Sequence, residues 1–67
     1  MSKFAENLRY YRKAQKLTQL ALGEKINAGY TMISMLESEK WTPDIATIKA
    51  LAEVLEVSIE DLFKDSY

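Results

Sequence analysis

Cysteine and histidine are both absent from this chain of 67 residues. That excludes disulfide staples, thiolate or imidazole metal sites, and any Ser-His or Cys-His catalytic pair. A chain this short buries only about 60% of the surface its unfolded form exposes, so self-association is the remaining source of extra burial. No apolar run reaches the roughly 18 residues that span a membrane, and the opening "MSKFAENLRYYRK" lacks the uninterrupted apolar stretch of a secretory signal. A cytoplasmic protein is expected. Proline occurs once, as Pro43, and no segment is repeated or low in complexity.

Charge is close to balanced overall, at −1, but not along the chain. Residues 1–25 carry Lys3, Arg9, Arg12, Lys13, Lys16 and Lys25 against Glu6 and Glu24, a surplus of +4. Residues 26–45 come to −2 and residues 46–67 to −3. Either one end meets a polyanion that the other repels, or the charges are simply a solvated surface.

Apolar spacing divides the chain into helices. Phe4, Leu8, Tyr11 and Gln15 fall on a helical period and predict a first helix over residues 4–15. Thr18 is a suitable N-cap for a second helix, about 19–26, with Leu22 and Ile26 on one face. Asn27 tolerates the left-handed backbone that ends helices, and Gly29 can cap a third, about 30–37. Asp44 is an N-cap candidate for a fourth helix near 45–55, in which Ile45, Ile48, Leu51, Ala52 and Leu55 repeat at threes and fours. Ser58 and Asp61 resemble a capping box opening a fifth, short helix with Ile59, Leu62 and Phe63. Five helices and no strand are expected.

The second and third helices, joined by a turn over 27–29, suggest a helix-turn-helix. Such a pair must approach closely, and Gly23 supplies the small residue; the alternative is a weak spot without a packing reason. On a helical wheel, Ile33 and Leu36 point to the core. Thr31, Ser34, Met35 and Ser38 point away from it, with Tyr30 and Met32 at the shoulders.

The stretches "LRYYRKAQKLTQ", "LALGEKI", "ISMLESEKWTPD" and "IKALAEVLEVSIEDLF" resemble, without a gap, the lambda-repressor-like helix-turn-helix family, of the Cro/CI or Xre type. The resemblance runs from Leu8 to Phe63. It implies a single all-α, compact five-helix DNA-binding domain over residues 1–67, with its core in 8–63 and the helix-turn-helix unit at about 19–38. By the same resemblance, Gln19 matches a phosphate-contacting glutamine, and Arg12 and Glu37 match an arginine and a glutamate that pair between the first and third helices. Four departures stand out. Asn27 replaces a turn glycine, and Glu56 replaces a glycine between the last two helices, where the backbone is expected to be strained. Leu20 and Ala21 replace two acids. The outer face of the third helix lacks the usual Arg, Gln or Asn.

Bidentate readout of G or A needs those missing side chains. Tyr30, Thr31, Ser34 and Met35 remain as base-reading candidates, through thymine methyls, hydroxyls, shape and water. Thr18, Gln19, Ser38 and Lys40 are the phosphate candidates, followed by Lys25 and Arg9. Trp41 either lies along the backbone of the duplex or, the reading favoured, covers the loop before Pro43. Val57, Ile59, Leu62, Phe63 and Tyr67 offer more apolar area than a small core needs and are the expected contact of a homodimer on a two-fold symmetric operator. The function expected is a DNA-binding transcriptional regulator, repressor or autoregulator, acting by operator occupancy, with no cofactor, metal, membrane or small-molecule ligand.

Two other classes compete. An enzyme would need a pocket around the acids at 37, 39, 60, 61 and 65, and five short helices offer none of useful size. A protein-interaction module could use the methionine-bearing face of "GYTMISML" together with Leu20. Salt dependence separates it from a DNA binder.

Overall fold

The computed structural model describes residues 3–65. It contains α1 (Lys3–Ala14), α2 (Gln19–Lys25), α3 (Tyr30–Glu37) and α4 (Ile45–Leu55), followed by a single 3-10 turn, Glu60–Leu62. The expected fifth helix is therefore corrected to one turn. Its capping box does form: the Ser58 amide donates to Asp61 Oδ2 and the Asp61 amide to Ser58 Oγ, each at 3.0 Å. Propagation stops because buried Asn7 on α1 donates through Nδ2 to the carbonyls of Asp61, at 3.2 Å, and Lys64, at 2.9 Å. A continuing helix needs those carbonyls for itself.

Each α-helix begins or ends for a local reason. Thr18 Oγ1 accepts from the Ala21 amide at 3.0 Å and Asp44 Oδ1 from the Thr47 amide at 2.8 Å, so both act as N-caps. All four helices close with the same pair of backbone bonds. After α1, Leu17 donates to the Arg12 carbonyl and Lys16 to that of Lys13; the pattern recurs at Ala28 and Asn27, at Lys40 and Glu39, and at Val57 and Glu56. This is the Schellman closure, which requires one left-handed residue. Here that residue is never glycine: Lys16, Asn27, Glu39 and Glu56 have φ of 60–65°.

The core gathers Leu8 from α1, Leu22 from α2, Ile33 and Leu36 from α3, Leu51 and Leu55 from α4, and Leu62 from the 3-10 turn, all at most 1% exposed. Tyr11, Leu17, Ile26, Met32, Val54, Val57 and Ile59 pack around it. Ile45 does not belong to this face; it is 61% exposed, at the first turn of α4. Gln15, grouped with the apolar period of α1, is exposed and donates to the Leu55 carbonyl at 3.2 Å, joining the end of α1 to that of α4.

Close approach of α2 and α3 depends on Gly23. A Cβ there would lie 2.8 Å from the Gly29 carbonyl oxygen and 2.9 Å from that of Ala28. Both are backbone atoms fixed by the turn. The glycine is a packing requirement, and the weak-spot alternative falls away.

Candidate nucleic-acid interface

Polar groups are concentrated where α1, α2 and α3 meet. Arg12 Nε donates to Glu37 Oε2 at 2.6 Å and Nη2 to Oε1 at 3.1 Å, with both side chains at most 10% exposed. A third guanidinium nitrogen, Nη1, reaches the Leu17 carbonyl at 2.8 Å. Glu37 also accepts from Gln19 Nε2 at 3.2 Å. One carboxylate thereby ties the first residue of α2 and the end of α1 to the last turn of α3. Among the described residues, no buried side-chain nitrogen or oxygen lacks a partner.

Above this pair lies a groove of about 320 Å³. Arg9 and Lys13 of α1 form one wall, Ser34 and Ser38 the other, Gln19 one end, and Arg12 with Glu37 the floor. Gln19 thus meets the groove with one amide hydrogen engaged by Glu37 and a second still available. Thr18 accepts a bond as N-cap and retains a hydroxyl proton to donate. Ser38 is different. Its hydroxyl donates to the Ser34 carbonyl at 2.9 Å, so its one proton is already in use and it offers an anion no donor without rotating. Lys40 is exposed just beyond α3.

The outer face of α3 is open. Tyr30 is 51% exposed, Thr31 is exposed, and Ser34 and Met35 are half-buried. Met32 packs against the core instead. Leu20 is exposed at the start of α2 and Tyr10 on α1.

A second, apolar cleft of about 310 Å³ lies on another side, between the loop after α3 and the C-terminal turn. Trp41 and Pro43 border it with Phe4, Leu36, Ile48 and Phe63. Phe63 is about half exposed and stacks at a tilt on Phe4, with ring centroids 5.3 Å apart. Of the expected dimer residues, Leu62 is 0% exposed and belongs to the core, so its side chain presents nothing to a partner. Val57 and Ile59 are half-buried, and Tyr67 lies outside the described residues.

Sequence reasoning missed three contributors. Asn7 is a polar residue three positions after Phe4 on the buried stripe of α1, and that misplacement was the available signal. Lys13 was read only as charge, although it lies one turn beyond Arg9 and shares its groove. The bond from Arg12 to Leu17 left no mark in the pattern.

Two short helices held at close range by a glycine, the second with an uncovered outer face, define a helix-turn-helix domain. Comparison with known proteins agrees: the helix-turn-helix family HTH_3 matches residues 8–62, and the chain belongs to that family. The chain is 44% identical over 64 residues to the uncharacterized HTH-type transcriptional regulator RghRB of Bacillus subtilis (strain 168), covering 92% of this chain and 45% of that protein. It is 30% identical over 54 residues to the immunity repressor protein of Bacillus phage phi105, covering 81% of this chain and 38% of the repressor. The chain thus spans less than half the length of these two curated relatives. The P22 c2 repressor protein, solved in complex with a synthetic operator, superposes with a TM-score of 0.86 at 30% identity over 94% of this chain and 96% of that one.

Proposed function

We propose that this chain binds double-stranded DNA sequence-specifically as a transcriptional regulator, a dimeric repressor or autoregulator acting in the cytoplasm by occupying its operator. The observation that carries this reading is the exposed face of α3, Tyr30, Thr31, Ser34 and Met35, on a helix fixed from behind by Gly23 and by the Arg12–Glu37 pair. The likeness to a repressor solved on an operator supports it. With no Arg, Lys, Asn or Gln on that face, base discrimination comes from thymine methyls for Thr31 and Met35, from hydroxyls for Ser34 and Tyr30, and from the shape of the duplex.

Affinity then rests on the backbone. Gln19, Thr18 and Lys40 supply phosphate donors, and Ser38 contributes only by giving up its bond to Ser34. Two copies bind across a two-fold site, meeting through Val57, Ile59 and Phe63 with Tyr67 of the tail; two-fold pairing doubles the modest discrimination of one α3.

Titration of a duplex at two salt concentrations tests the reading. Affinity should fall steeply with salt, and Lys40→Ala should weaken all sequences about equally while lowering the salt slope by about one. A salt-indifferent interaction would instead assign the methionine-bearing face of α3 to a protein partner.

A further inference from the structure

We propose that the C-terminal segment, residues 57–65, exchanges between two copies of this chain, with Glu56 as the hinge. The proposal rests on the pairing of two copies inferred above and states what they exchange.

The hinge is the first argument. Glu56 ends α4 with φ 60° and ψ 41°, in the left-handed region, and its side chain is exposed. A residue with a Cβ is strained there and relaxes on turning right-handed. Nothing in the sequence then stops α4: no glycine or proline occurs between residues 45 and 62. Ile48, Leu51, Leu55, Ile59 and Leu62 follow one another at steps of three and four, the pattern of one continuous helix that runs straight through the break. The region therefore has two conformations open to it, one broken at Glu56 and one straight.

The docking is the second. In the broken form the segment folds back over α1, where Asn7 Nδ2 donates to the carbonyls of Asp61 and Lys64 and Phe63 stacks on Phe4. Lys3 Nζ lies 3.9 Å from Asp65 Oδ1, and Leu62 is fully buried. These partners on α1 are more than fifty positions away in the chain, so the docking site is blind to which copy supplies the segment.

The two arguments meet in the occupant. In a straight α4, Leu62 lies about 10 Å beyond Leu55 along the helix axis and cannot return to its own α1. A single copy in that state exposes Leu62 and the apolar site beside Phe4 and Leu8, which is unfavourable. A second copy in the same state supplies the missing segment and receives one in return. The pair keeps every docking contact of the broken form and relaxes two strained residues, which offsets part of the cost of association.

The test uses the whole chain without DNA. Isotope-labelled and unlabelled protein are mixed in equal amounts, unfolded, and refolded together at millimolar concentration. The rings of Phe4 and Phe63 have centroids 5.3 Å apart, close enough for a nuclear Overhauser contact, and an isotope-filtered spectrum of the dimer fraction reads only contacts between chains. Sedimentation gives the association constant of the unaltered protein, of Glu56→Gly and of Glu56→Ala.

A Phe4–Phe63 contact between chains is expected. Glycine is relaxed in the left-handed region and poor in a helix, and each dimer straightens two hinges, so Glu56→Gly should lower the association constant by roughly 30-fold or more. Alanine keeps the strain and favours the helix, so Glu56→Ala should pair at least as tightly as the unaltered protein. A dimer whose Phe4–Phe63 contacts all lie within chains overturns the exchange and leaves a surface pairing in place. Equal association of Glu56→Gly and the unaltered protein also overturns it, because Glu56 is then not the hinge. A monomer throughout overturns the exchange and the pairing together.

Discussion

Arg12 and Glu37 are nearly out of water, and each is useful only while the other is present. Removing one partner leaves a buried charge, so Arg12→Ala and Glu37→Ala should each destabilise by about 3–5 kcal/mol. The double variant should cost much less than their sum, and the coupling from chemical unfolding of the four proteins is the measurement. Strictly additive effects would mean that the pair does not form. The Glu37 variant should also weaken DNA binding more than its stability loss explains, because it frees the amide of Gln19.

Asp44 makes a second prediction at this scale. Its bonds to Thr47, through the side chain first and the backbone amide next, hold its carboxyl below the ordinary value of 3.8. A carboxyl lowered on folding adds stability that is complete above its unfolded pKa and disappears as pH falls through the folded one. The stability gap between the unaltered protein and Asp44→Ala should therefore stay constant from neutral pH down to about 4 and narrow below 3.8. Asp61, lowered by Lys64 and by its capping bonds to Ser58, acts in the same direction.

At the scale of elements, helix ends and one helix crossing govern the fold. Gly23→Ala gains the helix preference of alanine, about 1 kcal/mol, but drives a methyl into backbone carbonyls. The net effect should be a loss of about 1–3 kcal/mol, read as a drop in thermal midpoint of roughly 4–8 °C per kcal/mol. Glu56→Gly should do the reverse. Its left-handed backbone is free for glycine, so the variant should gain up to about 1 kcal/mol. Midpoints of the two variants moving in the same direction would contradict this account of the α2–α3 crossing or of the α4 end.

The same devices explain what could be read in advance. α2, α3 and α4 were legible to within a residue because Thr18, Asp44 and the apolar spacing are local signals, and Gly23 announced the close crossing. The end of the chain was not, because what stops it is Asn7, more than fifty positions away. Nor was the core position of Leu62 legible, since an apolar residue in a short terminal turn reads the same whether it faces inward or toward a partner. Ile45 misled in the opposite sense: it keeps the period of α4 but sits at its first turn, before the helix reaches the core. Of the candidate site, the outer face of α3 followed from a helical wheel, whereas the groove needed α1 and α3 to be placed side by side.

On the scale of the whole molecule, the basic surplus of residues 1–25 becomes a direction in space. Arg9, Arg12 and Lys13 converge with α2 and α3, while Glu53 lies on α4, Glu56 at its end, and Glu60 and Asp61 in the C-terminal turn. A polyanion is attracted to one side and repelled from the other, which orients the molecule on approach. Among the described residues, no helix is long and apolar enough to cross a membrane and no acidic cluster could hold a metal ion. The apolar cleft bordered by Trp41 and Phe63 lies away from the polar groove, sharing no residue with it, so a second copy can meet the protein there or nearby without covering the face of α3.

The proposed function turns on readout of DNA by Thr31, Ser34 and Met35. Selection of bound duplexes from a random pool, run in parallel with the unaltered protein and with Met35→Ala, tests it most directly. A two-fold symmetric, thymine-containing motif is expected for the first and a changed preference at one position of each half-site for the second. An identical motif from both proteins, or no enriched motif from either, would contradict it.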